Sequence, residues 1–87
     1  YPRIAVSMMK LKAFVKSDRS KLRESAAKWL EIEDCVENGV VVGYFLFYFD
    51  DDGDQYRDDF LTTLDDIKHN AEYWCEIKPE DWTVVEE

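Results

Sequence analysis

From Met9 to Lys16 the side chains alternate, with Met9, Leu11, Ala13 and Val15 on one side and Lys10, Lys12, Phe14 and Lys16 on the other. A period of two predicts a half-buried strand, and lysines repeated on its outer side discourage edge-to-edge aggregation. Ser17-Asp18-Arg19-Ser20 breaks the alternation, and either Ser17 or Asp18 is a candidate helix cap. Leu22, Ala26, Trp29 and Leu30 then share helical spacing, while Trp29 to Asp34 also alternates. The overlapping patterns predict a short helix near 21–27 followed by a strand over Trp29 to Asp34.

Asn38-Gly39 accepts the positive φ angles of a tight hairpin turn. The longest apolar run, Val40 to Phe49, predicts the central strand. Phe45, Phe47 and Phe49 share one of its faces, and Tyr44, Leu46 and Tyr48 share the other. Apolar side chains on both faces imply cover on both sides, or cover on one side and a partner on the other. Asp52-Gly53 makes a second hairpin turn, and Gln55 to Phe60 returns as a polar strand. Thr63 is a helix N-cap followed by Asp65 and Asp66, where carboxylates favour the helix dipole. Leu64, Ile67, Ala71, Trp74 and Cys75 give that helix, about 63–76, an apolar face. Pro79 excludes further helix, and Trp82 to Val85 can add a final short strand. The expected fold is therefore α+β: a single domain over 1–87 with an antiparallel sheet of about four strands and one main helix packed on it.

Charge changes the picture more than composition does. Residues 1–30 hold eight basic side chains against two acids, a balance of +6, whereas residues 31–87 balance at −15. Such polarity suggests two parts that attract across the fold or that face different partners. The acidic part would repel nucleic acid, whose binders need basic surfaces. No apolar run is long enough to span a bilayer, and nothing near the start reads as a signal peptide. A cytoplasmic location is the expectation, with Cys35 and Cys75 as reduced thiols and a single bridge as the alternative in a secreted protein. The chain opens on Tyr1, which leaves Met8 and Met9 as candidate natural starts and the origin of residues 1–8 open.

Candidate chemistry is sparse. Asp50-Asp51-Asp52-Gly53-Asp54 invites a calcium loop, and placing Gly53 sixth aligns Asp50, Asp52 and a final Asp59 with ligand positions. The first position then falls on Tyr48, which cannot serve as a carboxylate, and a strand rather than a helix leads in. Nothing separates the pKa values of these contiguous carboxylates as acid/base catalysis requires. His69 lies off the helix's apolar face, no cysteine is near it in sequence, and no glycine-rich phosphate loop exists. No catalytic residue, cofactor or metal is assigned.

The features Tyr44-Phe45-Leu46-Phe47-Tyr48, Asp51-Asp52-Gly53, Thr63-Leu64-Asp65-Asp66 and Asp81-Trp82 resemble a pattern in small uncharacterised acidic bacterial and phage α+β proteins. The resemblance covers about half of the chain, Gly43 to Trp82. It departs at Asp59-Phe60-Leu61, where such sequences carry Asp-Thr-Trp, and in the basic first thirty residues. It implies a bacterial or phage module and transfers no functional residues.

The leading expectation is a non-enzymatic acidic protein-binding module, an inhibitor or immunity-type protein that covers a basic surface on another protein. Its sharper form is a nucleic-acid mimic, with ordered carboxylates standing where phosphates would sit. Tyr44, Tyr48 and Tyr56 would be the aromatic anchors, beside Asp51, Asp52, Asp58 and Asp59. The other reading of those rings is that they cover the second face of the sheet. The functional alternatives are a self-associating subunit, with a homodimer as its simplest form, or a calcium- or ligand-binding module on the Asp50–Asp54 turn. Direct nucleic-acid or membrane contact is not expected.

Overall fold

A computed structural model describes residues 9–85. Five strands form one antiparallel sheet: β1 (Lys10–Phe14), β2 (Trp29–Glu37), β3 (Val40–Phe49), β4 (Gln55–Leu61) and β5 (Thr83–Val84), in the order β4-β3-β2-β1-β5. One helix, α1 (Leu64–Cys75), packs across the sheet, so the class is α+β as the patterning predicts. Of the two candidate natural starts, Met9 is described, while Met8 and the residues before it lie outside the described residues.

Alternation in β1 and β2 sets the sidedness. Leu11 and Ala13 in β1 and Leu30, Ile32 and Val36 in β2 are buried, while Lys10, Lys12, Glu31 and Glu33 occupy the opposite face. Cross-strand pairing then decides which side of β3 joins them: Leu30 lies opposite Tyr48 and Ile32 opposite Leu46. Helix α1 closes this face with Ile67, Ala71 and Cys75, all buried. Its cap is as expected, since Thr63 Oγ1 accepts from the Asp66 amide at 3.1 Å. It ends at Glu76, held in the left-handed region at φ 55° with its amide donating to the Glu72 carbonyl.

Two β-bulges adjust the register. Asn38 (φ 52°) and Gly39 (φ 76°) make the tight turn that a positive-φ pair permits, and Val41 still pairs with Val36. Beyond it, however, Cys35 pairs with Gly43, so Val42 is an extra residue on β3. On β4, Tyr48 pairs with Arg57 but Phe49 with Gln55, so Tyr56 is the extra residue.

The short helix predicted near 21–27 does not form. Asp18 does act as a cap, accepting from the Ser20 amide, but it caps a 3-10 turn over Arg19–Lys21. The segment after it finds tertiary partners for its backbone instead of helical ones. Glu24 N donates to the Trp74 carbonyl at 3.0 Å and Lys28 N to the Phe49 carbonyl at 2.7 Å, while Arg19 donates to the carbonyls of Ser25 and Ala26. Leu22 and Ala27 are drawn into the core as single anchors, and Ala26 stays exposed. Helical spacing of Leu22, Ala26 and Trp29 was thus coincidental, because Trp29 and Leu30 face opposite sides of β2.

Candidate functional site

The residues expected to form a partner surface are divided by the sheet. Tyr48 is fully buried, and its hydroxyl donates to Asp59 Oδ2 at 2.7 Å. Burial first, and then that hydrogen bond, push the phenol well above its ordinary range. Tyr44 is half-buried against the same core. Tyr56, on its bulge, tilts toward the Tyr48 ring at 6.3 Å and stays partly exposed. Desolvation, followed by a hydrogen bond to Glu24, raises its pKa too. The expectation that Tyr48 meets a partner is therefore corrected: its ring is core, and its hydroxyl is satisfied internally.

Asp59 belongs to the same interior network. It accepts from Tyr48 and from Asn70 Nδ2 (2.8 Å), and Arg57 Nη2 lies 3.5 Å away. Arg57 also donates to Glu24 Oε2 at 2.9 Å, and its guanidinium stacks 4.7 Å from the Tyr48 ring and 4.4 Å from Trp74. This network ties the irregular 22–28 segment, β4 and α1 together. Asp51 is likewise engaged, bound by both terminal nitrogens of Arg19 at 2.7 and 3.1 Å, which hold its carboxyl below the usual range. Asp52 and Asp58 are exposed, but Asp58 projects from the face opposite to Asp59.

The Asp50, Asp52 and Asp54 carboxylates lie within 4.8 Å of one another. Asp50 Oδ1 accepts from the amides of Asp52 and Asp54, both at 3.0 Å, which accounts for the turn without an ion. The cysteines sit on opposite sides of the sheet: Cys35 is on the open face, while Cys75 is on the buried side of α1. Both are free thiols, and burial pushes the Cys75 thiol up to about 12.

The surface that sequence reasoning missed is the other face of β3. Among the described residues, no helix covers it. Three rows cross it from β1 to β4: Phe14-Trp29-Phe49-Gln55, Lys12-Glu31-Phe47-Asp58 and Lys10-Glu33-Phe45-Phe60. Trp29 stacks on Phe49 with ring centroids 4.8 Å apart, and Phe45 contacts both Phe47 (5.6 Å) and Phe60 (5.0 Å). Gly43 makes room for this arrangement, because a Cβ there would collide with the Phe60 ring. Phe14 is 51% exposed and Phe60 44%. Trp29, Phe45, Phe47 and Phe49 are half-buried among their neighbours on this face: Lys10 pairs with Glu31 at 3.1 Å, Trp29 Nε1 donates to Glu31 at 2.9 Å, and Lys12 lies 4.9 Å from the Phe14 and Trp29 ring centres. An antiparallel sheet face left to solvent is ordinarily polar, whereas aromatic rings fill half of the twelve positions in these rows.

This arrangement can bury apolar area and fix orientation. No protein-family model, no curated protein and no solved structure matches the chain. Among the described residues, no helix is long and apolar enough to cross a membrane.

Proposed function

We propose that this protein is a non-enzymatic protein-binding module that docks through the open aromatic face of its sheet. The observation that carries the reading is the aromatic set Phe14, Trp29, Phe45, Phe47, Phe49 and Phe60 on a face that no described residue covers. Exposed apolar surface costs about 25 cal/mol per Å² relative to burial, so covering these rings is the main energy available for association. Rigid aromatic rings lose little side-chain freedom on contact and serve as anchors. The acid on the β4 edge of the face, Asp58, favours a basic group on whatever meets it and speeds its approach. An inhibitor or immunity-type role, in which the module covers a basic-edged patch on another protein, is the function class that fits. The mimic version draws less support, because Asp51 and Asp59 are tied to Arg19 and Arg57 rather than displayed.

Phe47→Lys tests the reading, since it places a charge at the centre of the face without touching the core. Immobilised wild type is expected to retain a near-stoichiometric polypeptide, either its own chain or another, that the folded Phe47→Lys variant loses. Equal retention by both, or nothing retained by wild type, overturns the reading.

A further inference from the structure

We infer that the occupant of the open face is a second copy of this chain, stacked sheet to sheet about a two-fold axis that runs parallel to the strands between the two faces. This rests on the docking reading above and names its partner.

The first argument is charge. The strands place Lys10, Lys12, Glu31, Glu33, Glu37 and Asp58 on the face, a balance of −2 on a chain of −9. Two copies therefore meet little mutual repulsion across this face.

The second argument is the direction of that charge. In the middle row the basic group is at the β1 end and the acid at the β4 end: Lys12, Glu31, Phe47, Asp58. Glu31 is already held by Lys10 and Trp29. Lys12 has only ring contacts and Asp58 has no ion pair among the described residues. Rotation about an axis parallel to the strands reverses strand order and keeps each row level. It lays β1 of one copy over β4 of the other, so Lys12 meets the partner copy's acid twice, while Trp29 lies over a Phe49 ring. The perpendicular in-plane axis would set β1 on β1, opposing lysine to lysine and aspartate to aspartate. Self-complementarity of a single patch is what a two-fold interface requires.

The third argument is size. Strand spacing of about 4.8 Å and rows about 7 Å apart give a patch roughly 20 Å on a side. Corrugated by rings, that corresponds to about 500–600 Å² of accessible surface per copy, at the threshold of about 1,000 Å² in total for a specific interface. Sheets stacked in this way align within about 30° and sit about 10 Å apart, leaving a helix on each outer side.

Sedimentation equilibrium between about 5 and 500 µM covers the affinity range such an interface implies. The wild type is expected to approach twice the 10.3 kDa mass of one chain at the upper end. Phe47→Lys should remain at monomer mass with an unchanged circular dichroism spectrum. Lys12→Asp and Asp58→Lys should each weaken association about tenfold, and the Lys12→Asp/Asp58→Lys double variant should recover most of the loss. A monomer at every concentration, a dimer indifferent to Phe47→Lys, or a double variant no better than the singles would each overturn the proposal. Should the monomer instead hold a different chain that Phe47→Lys releases, the docking reading stands and the second-copy assignment fails. If it holds nothing, both fail.

Discussion

Strand β3 carries aromatic rings on both sides, yet the two sides have opposite fates. Tyr48 and Leu46 are completely buried under α1, while Phe45, Phe47 and Phe49, which are more apolar than tyrosine, lie on the open face. Hydrophobicity of β3 alone would choose the phenylalanines for the core. What decides is the company each side keeps. Leu11, Ala13, Leu30 and Ile32 come with the tyrosine side; Lys10, Lys12, Glu31 and Glu33 come with the phenylalanine side. The tyrosine hydroxyl is no obstacle once Asp59 accepts its hydrogen bond and Arg57 offsets the carboxylate. A residue's burial thus follows from its neighbours across the sheet before it follows from its own polarity.

Truncations on either side of β3 are the sharpest way to break that comparison. In urea titrations Leu46→Ala should cost about 2–5 kcal/mol as a core cavity, and Phe47→Ala at monomer concentrations about 1 kcal/mol or less. Tyr48→Phe keeps the ring but removes one donor from Asp59, for an expected loss of about 1–2 kcal/mol by the same measurement.

The smallest effect is alkaline. Tyr48, Tyr56 and Cys75 all have raised pKa values in the fold, chiefly through burial, so the folded state keeps protons that the unfolded chain releases. Their contribution is fully present below the unfolded values, about 8.5 for cysteine and about 10 for tyrosine, and is lost as pH rises beyond them. The melting temperature should therefore hold to about pH 8.5 and fall from there toward about 12, and Tyr48→Phe should flatten the upper part of that decline.

Much of this fold was legible from local chemistry. The Thr63 cap, the Asn38-Gly39 turn, the β1 alternation and the α1 apolar face each state their structure within a few residues. The irregular 22–28 segment was not, because its backbone is satisfied by Trp74 and Phe49, both distant in sequence. The inward placement of Tyr48 was not legible either: counting back from the Asn38-Gly39 turn without a bulge would pair Leu30 with Phe47, and nothing local marks Val42 as the residue that shifts this pairing by one. Gly43, placed beside a run of large apolar residues, was the available hint. Its missing side chain makes space for Phe60 on the face that stays open. Asp58 and Asp59 were read as one acidic surface although adjacent strand residues must point to opposite sides.

Paired lysine substitutions at adjacent positions test the assignment of the two faces most directly. Tyr48→Lys and Phe47→Lys would be compared by urea denaturation at a concentration where the chain is monomeric. The account predicts that Phe47→Lys unfolds cooperatively with a midpoint close to wild type, while Tyr48→Lys fails to fold because it buries an ammonium between Leu30, Arg57 and α1. A folded Tyr48→Lys beside an unfolded Phe47→Lys would contradict it, and would mean that the phenylalanine side is the core.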